Sequence, residues 1–209
     1  MRSVLDAESG CAVIPPASAT AQPVAGSGPV LRAVELCFPT QGNVSSIEFE
    51  TYLYYIKTRG SRPSQNAWVP FTADVEKDLV EDFKRLWATN FLDDLAVEVV
   101  YTTYPNGVVG KYVRFRLEER QRVKIVEYVG SDKIEATKVD EKLREINNVI
   151  RLDSFIDPAQ IRRVESVVRE MLSEKGYLDG EVSHTITPIA GGPKLVNLTF
   201  TIKDGVTWE

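Results

Sequence analysis

The chain is built on an internal repeat, and that repeat restricts the fold more than any other feature. The first copy opens with Val34, Leu36 and Phe38 alternating with Glu35 and Cys37, the period of a strand with one buried face. It stops at Gly42-Asn43, residues that tolerate positive φ. The second copy opens alike, with Val123 and Ile125 ahead of Gly130-Ser131. A helix follows each turn. Ser45 and Glu48 have capping-box spacing before a Phe49, Leu53, Ile56 stripe, and Thr137 and Asp140 accompany a Val139, Leu143, Ile146 stripe. A longer helix comes next in each copy. Thr72 precedes Val75, Leu79, Phe83, Leu86 and Trp87, while Asp157-Pro158 precedes Ile161, Val164, Val168, Met171 and Leu172. Both long helices end in related words, Asn90-Phe91-Leu92-Asp93-Asp94 and Gly176-Tyr177-Leu178-Asp179-Gly180, with Asn90 and Gly176 where a left-handed terminating residue belongs. Each copy closes with a hairpin, turning at Asn106-Gly107 and at Gly191-Gly192.

Two β-α-α-β-β modules follow from this order. The fold class is α+β, each module a three-stranded sheet covered on one face by two helices, the other face left to water. The boundaries fall at 31–120 and 121–209, with a junction at Arg120-Gln121-Arg122. Residues 1–30 are rich in Ala, Pro, Ser and Gly without apolar periodicity, and are expected to be a flexible lead-in.

Composition narrows the function. The net charge of −5, with Lys and Arg scattered, argues against nucleic acid and against an anionic membrane surface. No stretch is long and apolar enough for a transmembrane helix or a signal-peptide core. One histidine and two cysteines are too few for a metal centre or a disulfide framework. Cys37, out of phase with the apolar face, is expected to be a partly exposed, incidental thiol. Cys11 follows Glu8-Ser9-Gly10, but the apolar stretch that lipidation would need is missing. No phosphate loop or nucleophile elbow is present, so neither catalysis nor a cofactor is expected.

The doubled β-α-α-β-β order, Gly-Asn after the first strand, Gly-Tyr-Leu-Asp after the second long helix and the acidic words Glu118-Glu119 and Lys203-Asp204-Gly205 together resemble the POTRA family. The likeness runs from about Leu31 to Gly205, and the segment from Phe91 to Val99 with Glu118-Glu119-Arg120 is most similar to the BamA branch. The first module departs from the pattern at Asn90, at Glu119-Arg120 and in a long connection from Arg59 to Pro70 that contains Trp68. The second departs at Gly130-Ser131.

The resemblance implies a periplasmic segment of an outer-membrane protein, preceding a C-terminal membrane β-barrel of the parent chain. Its implied partners are unfolded outer-membrane proteins and accessory assembly lipoproteins or periplasmic chaperones. Its implied mode is β-augmentation at a sheet edge. The edge strands carried over are Val97, Glu98, Val99, Val100 and Tyr101 in the first module, and Val182, Ser183, His184, Thr185 and Ile186 in the second. Trp68 is a further possible partner contact. His184, in phase with Val182 and Ile186, is expected to face the helices as a structural residue. Asp93-Asp94 reads as a solvated pair, and part of the Tyr52, Tyr54, Tyr55 cluster as helix packing. The same fold also serves secretion-partner transporters, import pores and division proteins, and a soluble α+β enzyme is the reading from a different class. An enzyme would require a deep cleft with converging polar groups.

Overall fold

A computed structural model describes residues 11, 17, 20–190, 192 and 194–206. The chain divides into two compact units, Met1–Glu119 and Arg120–Glu209. Module one contains β1 (Val30–Cys37), α1 (Phe49–Tyr55), β2 (Val69–Pro70), α2 (Ala73–Ala88), β3 (Leu92–Thr103) and β4 (Val109–Glu119). Module two contains β5 (Arg122–Val129), α3 (Ala136–Glu145), α4 (Pro158–Glu174), β6 (Glu181–Pro188) and β7 (Leu195–Lys203).

The last strand of each module lies between the other two long ones. β4 runs parallel to β1 and antiparallel to β3, and β7 runs parallel to β5 and antiparallel to β6. A parallel pair needs a crossover of a dozen or more residues, and the two helices supply it. The sheet orders are therefore β2-β1-β4-β3 and β5-β7-β6, the first carrying one two-residue strand more than the expected three. Alternate residues of the central strands form the cores: Val113, Phe115 and Leu117 beneath α1 and α2, and Leu198, Phe200 and Ile202 beneath α3 and α4.

The long helices begin and end where their sequences direct. Thr72 and Asp157 cap α2 and α4, accepting from the backbone amides of Val75 and Ala159. Asn90 and Gly176 both take positive φ at the opposite ends. The short helices differ from expectation. Glu48, not Ser45, is the residue before α1, and it makes no side-chain cap. Phe49 and Leu53 face outward, and α1 instead buries Tyr52 completely. Glu135 rather than Thr137 precedes α3, and Ile146 is exposed.

Ser45 serves another residue, Glu119 at the end of β4. Its carboxylate, 1% exposed, accepts from Ser45 Oγ at 2.6 Å, Tyr52 Oη at 2.7 Å, Gln41 Nε2 at 3.0 Å and the amides of Ser46 and Ile47 at 2.7 and 3.1 Å. Five donors from residues 41–52 thus converge on one anion and fix the path between β1 and α1. Burial alone would push this carboxyl up, but the hydrogen bonds outweigh it and hold it below the usual glutamate value. Asp82, fully buried on α2, plays a similar part after α1. It accepts from the amides of Lys57 and Thr58 at 2.8 and 3.0 Å and pairs with Arg85.

The two open sheet faces differ. In module two it is mixed: Asn197 and Thr199 reach Glu127, and Ile125 and Val129 are exposed beside them, Ile125 being turned away from the core that Val123 enters by a register shift between the two. In module one it is largely covered. Arg114 is fully buried there, donating from Nε to Glu35 at 2.7 Å with Glu98 Oε1 at 4.0 Å from its Nη1, one rung across β1, β4 and β3. Cys37 lies on the same face, and it is neither exposed nor free: it is buried and joined in a disulfide to Cys11, with Cα atoms 5.3 Å apart. Other parts of the expected lead-in are also held. Ala17 packs against Val30, Tyr104 and Val108, and Asn106 donates to Gln22 Oε1 and to the Pro23 carbonyl. The covalent tie and the sheet's apolar margin supply contacts that composition did not suggest.

Two consequences are measurable. Glu119→Ala is expected to destabilise the protein by about 3 kcal/mol, because it leaves several buried donors without an acceptor. Because the folded-state pKa is lowered, the stabilisation from ionised Glu119 is complete above the unfolded glutamate value of about 4.3 and lost as pH falls through the folded value. Denaturant melts of the two proteins should therefore converge on acidification below that point. Separately, Cys11→Ser should cost about 3.5 kcal/mol by the chain-entropy relation for its loop, and unreduced protein should show no thiol reactive toward a maleimide.

Candidate functional site

A sheet edge offers a partner a row of backbone donors and acceptors, so the informative question is which edges are free. On the β1 side of module one the edge is occupied. β2 pairs Val69 with Leu31 and Pro70 with Val30. Ser61 donates from both its amide and its hydroxyl to the Leu31 carbonyl, at 2.9 and 2.6 Å. Gly60 lies so close to β1 that a Cβ there would stand 2.7 Å from Ala33 Cα. Pro70, with no amide hydrogen, blunts the new edge. The β5 side of module two is covered in the same manner: Val123 donates to Ser154 at 2.9 Å, Asp153 to Val123 at 2.7 Å and Ile156 to Gln121 at 2.9 Å. In both modules it is the connection between the helices that covers this edge.

The opposite edges are β3 and β6, and no strand pairs with their outer sides among the described residues. They contain the residues singled out from the sequence, Val97 to Tyr101 and Val182 to Ile186. On β3 the alternation that packs Leu95 into the core continues outward as Val97, Val99 and Tyr101, at 37%, 46% and 70% exposure. An apolar row therefore borders the free backbone. α2 packs beside β3, and its Trp87, expected in the apolar stripe with Leu86, is half exposed instead.

β6 is bordered by α4. A shallow groove of about 300 Å³ is lined by Glu181, Val182 and Ser183 of β6, Thr201 and Lys203 of β7 and Arg169 of α4. Farther along, His184 Nδ1 lies 2.7 Å from Glu165 Oε1 and ties the edge strand to α4. His184 thus faces the helix, and its partner is a carboxylate. Ser183 and Thr185 point to the polar face, opposite Thr201 and Thr199.

The remaining candidates separate. Trp68 is half-buried, packed edge-on to Tyr104 at 5.6 Å and bonded through Nε1 to Asn66, so it supports its own module. Asp93 and Asp94 are exposed at the irregular start of β3. Tyr54 is exposed, while Tyr55 packs edge-on to Phe91. Among the described residues no group of three or more His, Cys, Asp or Glu could hold a metal ion, and no helix is long and apolar enough to cross a membrane. The coverage of β1 and β5 by the helix connections was missed in the sequence. In module one its signal was Gly60, where the lack of a Cβ permits close backbone approach.

Residues 121–205 match the family model for POTRA, described as a surface antigen variable number repeat. No curated protein matches the chain. Similar solved structures include POTRA4 of BamA from Haemophilus influenzae, at 16% identity and a TM-score of 0.37, covering 43% of this chain and 98% of that one. POTRA1-2 of Omp85 from Anabaena is similar at 19% identity and a TM-score of 0.35, covering 86% and 98%. The N-terminal domain of Omp85 from Thermosynechococcus elongatus is similar at 17% identity and a TM-score of 0.36, and the aligned region spans 85% of this chain and 63% of that one. The family match thus falls on module two, over residues 121–205. Module one repeats its element order and strand pairing, so the chain is a tandem of this α+β fold.

Open and covered edges should differ in solution. Amides of β4 and β7 are expected to exchange with solvent orders of magnitude more slowly than the outward-pointing amides of β3 and β6, because only the latter lack a neighbouring strand. Residue-resolved hydrogen exchange measures this, and uniform protection across each sheet would contradict the edge assignment.

Proposed function

We propose that this chain is the periplasmic segment of a BamA-like outer-membrane assembly factor, and that it binds extended polypeptide rather than catalysing a reaction. The observation that carries this reading is the asymmetry of the sheets. Each has one edge closed by its own helix connection and the other, β3 or β6, left with unpaired backbone groups. An extended client adding to that edge would gain main-chain hydrogen bonds, each contributing only about 0.5–1.5 kcal/mol net. The contacts read backbone rather than sequence, which suits a binder of many unfolded chains.

Side chains beside the two edges would tune what is accepted. Val97, Val99 and Tyr101 offer an apolar row to alternate residues of a client strand, as unfolded outer-membrane barrels possess. The β6 edge, with Arg169, Glu181 and Lys203 at its groove, would favour a more polar segment. Accessory lipoproteins or periplasmic chaperones, and a membrane barrel elsewhere in the parent, complete the proposed assembly.

Photoreactive benzoylphenylalanine placed at Val97 and at Val182 tests the edges directly. A urea-unfolded outer-membrane barrel protein, diluted into the full chain, is expected to crosslink at both positions and several-fold less at exposed Tyr54 on α1. Absence of adducts at both edges, with circular dichroism unchanged, would refute edge binding. Adducts at all three positions alike would show contact without a preferred strand.

A further inference from the structure

We propose that module two has a second binding site, remote from β6 in its lining residues, which accepts an acidic, partly apolar segment of a partner polypeptide. The site is the groove of about 600 Å³ formed where α3 ends and α4 begins, lined by Arg144, Asn147, Val149, Arg151, Phe155 and Gln160. It shares no residue with the groove beside β6.

Charge gives the first half of the argument. Arg144 and Arg151 both line the groove, and neither guanidinium has a hydrogen-bonding or ionic partner among the described residues. The guanidinium of Arg120 stacks 4.7 Å over the Phe155 ring, adding a third cation beside the same wall. Asp153 of the same connection is engaged by Lys124 at 2.5 Å and by Arg122 at 3.6 Å, and Glu141 of α3 by Lys138 at 2.9 Å. In a chain of net charge −5, this is a local reversal of sign. A guanidinium presents a planar fork that carboxylates fill with two parallel hydrogen bonds, so two free forks in one groove favour carboxylate side chains.

Shape and polarity give the second half. Val149 and Phe155 make part of the groove apolar, and Ile146 and Leu152 of the same connection are exposed. A small inorganic anion would use the guanidiniums and leave this surface wet. Stable docking on an anionic bilayer generally draws on about four to eight clustered basic residues, more than the three arginines here. A peptide with carboxylates interspersed among apolar residues uses both features. The connection also closes the β5 edge, so an occupant here would leave the β6 edge open to another chain.

The test uses the full chain and a fluorescein-labelled twelve-residue peptide of alternating Asp and Leu, followed by fluorescence polarisation. The peptide is expected to bind, with Arg144→Gln and Arg151→Gln each weakening it about tenfold, the loss of one charge-assisted pair. Added salt should weaken it further. Arg162→Gln, an exposed cation outside the groove, should leave binding unchanged, and this ties any loss to the groove arginines. The Arg144→Lys, Arg151→Lys double variant, which keeps the charge but not the fork, should fall between wild type and the glutamine variants. The proposal is overturned if the glutamine double variant binds equally well, or if the same peptide with Lys in place of Asp binds as tightly. It is also overturned if phosphatidylglycerol vesicles or inorganic phosphate engage Arg144 and Arg151 while the acidic peptide does not.

Discussion

Everything in each module is arranged around the parallel pairing of its first and last strands. Such a pair cannot be joined by a tight turn, so the chain must leave the sheet, cross one face and return. α1 with α2, and α3 with α4, are that crossing. The crossing places the helices over the Phe115 and Phe200 side of the central strands and swings the connection between them past the outer side of β1 or β5. The hairpin strand β3 or β6 is then left outermost, with no strand beyond it among the described residues. The open edge is thus a consequence of topology, and no single side chain creates it.

Buried charge fixes the details that topology leaves open. Glu119 gathers five donors from the segment between β1 and the middle of α1, and Asp82 holds the segment after α1. A buried carboxylate is tolerated only where its hydrogen bonds are complete. Each such anion consequently specifies one path for the backbone around it. Arg114, paired with Glu35 and near Glu98, does the same for the open face of module one. Module two has no counterpart to that rung: its central strand carries Asn197 and Thr199 at the open face. Two copies of one architecture therefore expose different chemistry, with a cystine-tied, covered face in the first and an open, mixed face in the second.

Much of the fold was legible because its signals are local. Alternation of apolar residues marked the long strands, Thr72 and Asp157 marked helix starts, and Asn90 and Gly176 marked helix ends. The α1 stripe misled because Phe49 and Leu53 have the right spacing but Tyr52 does the packing, drawn inward by Glu119. Ser45 misled for the same reason, its hydroxyl going to Glu119 and not to a helix amide. Trp68 has one side packed on Tyr104 and stays half-buried, a contact between residues 36 positions apart that local sequence does not announce. The strands of the candidate site could be named from the resemblance, but the closure of the other edges could not, because loop sequences carry no record of the strand they lie beside.

By itself, the sequence determined the doubled strand-helix-helix-strand-strand order, the starts and ends of the long helices and the apolar faces of the central strands, since periodicity and backbone preference act over a few residues; the expected turn at Gly191 lies outside the described residues. Only the tertiary structure decided which edges stay open, that Cys37 is paired with Cys11, and that Glu119 gathers five donors. The contact between Gln41 and Glu119 spans 78 positions. Cys11 and Cys37 lie 26 apart. Interactions over such separations depend on where the folded backbone brings distant residues, and no local pattern encodes that.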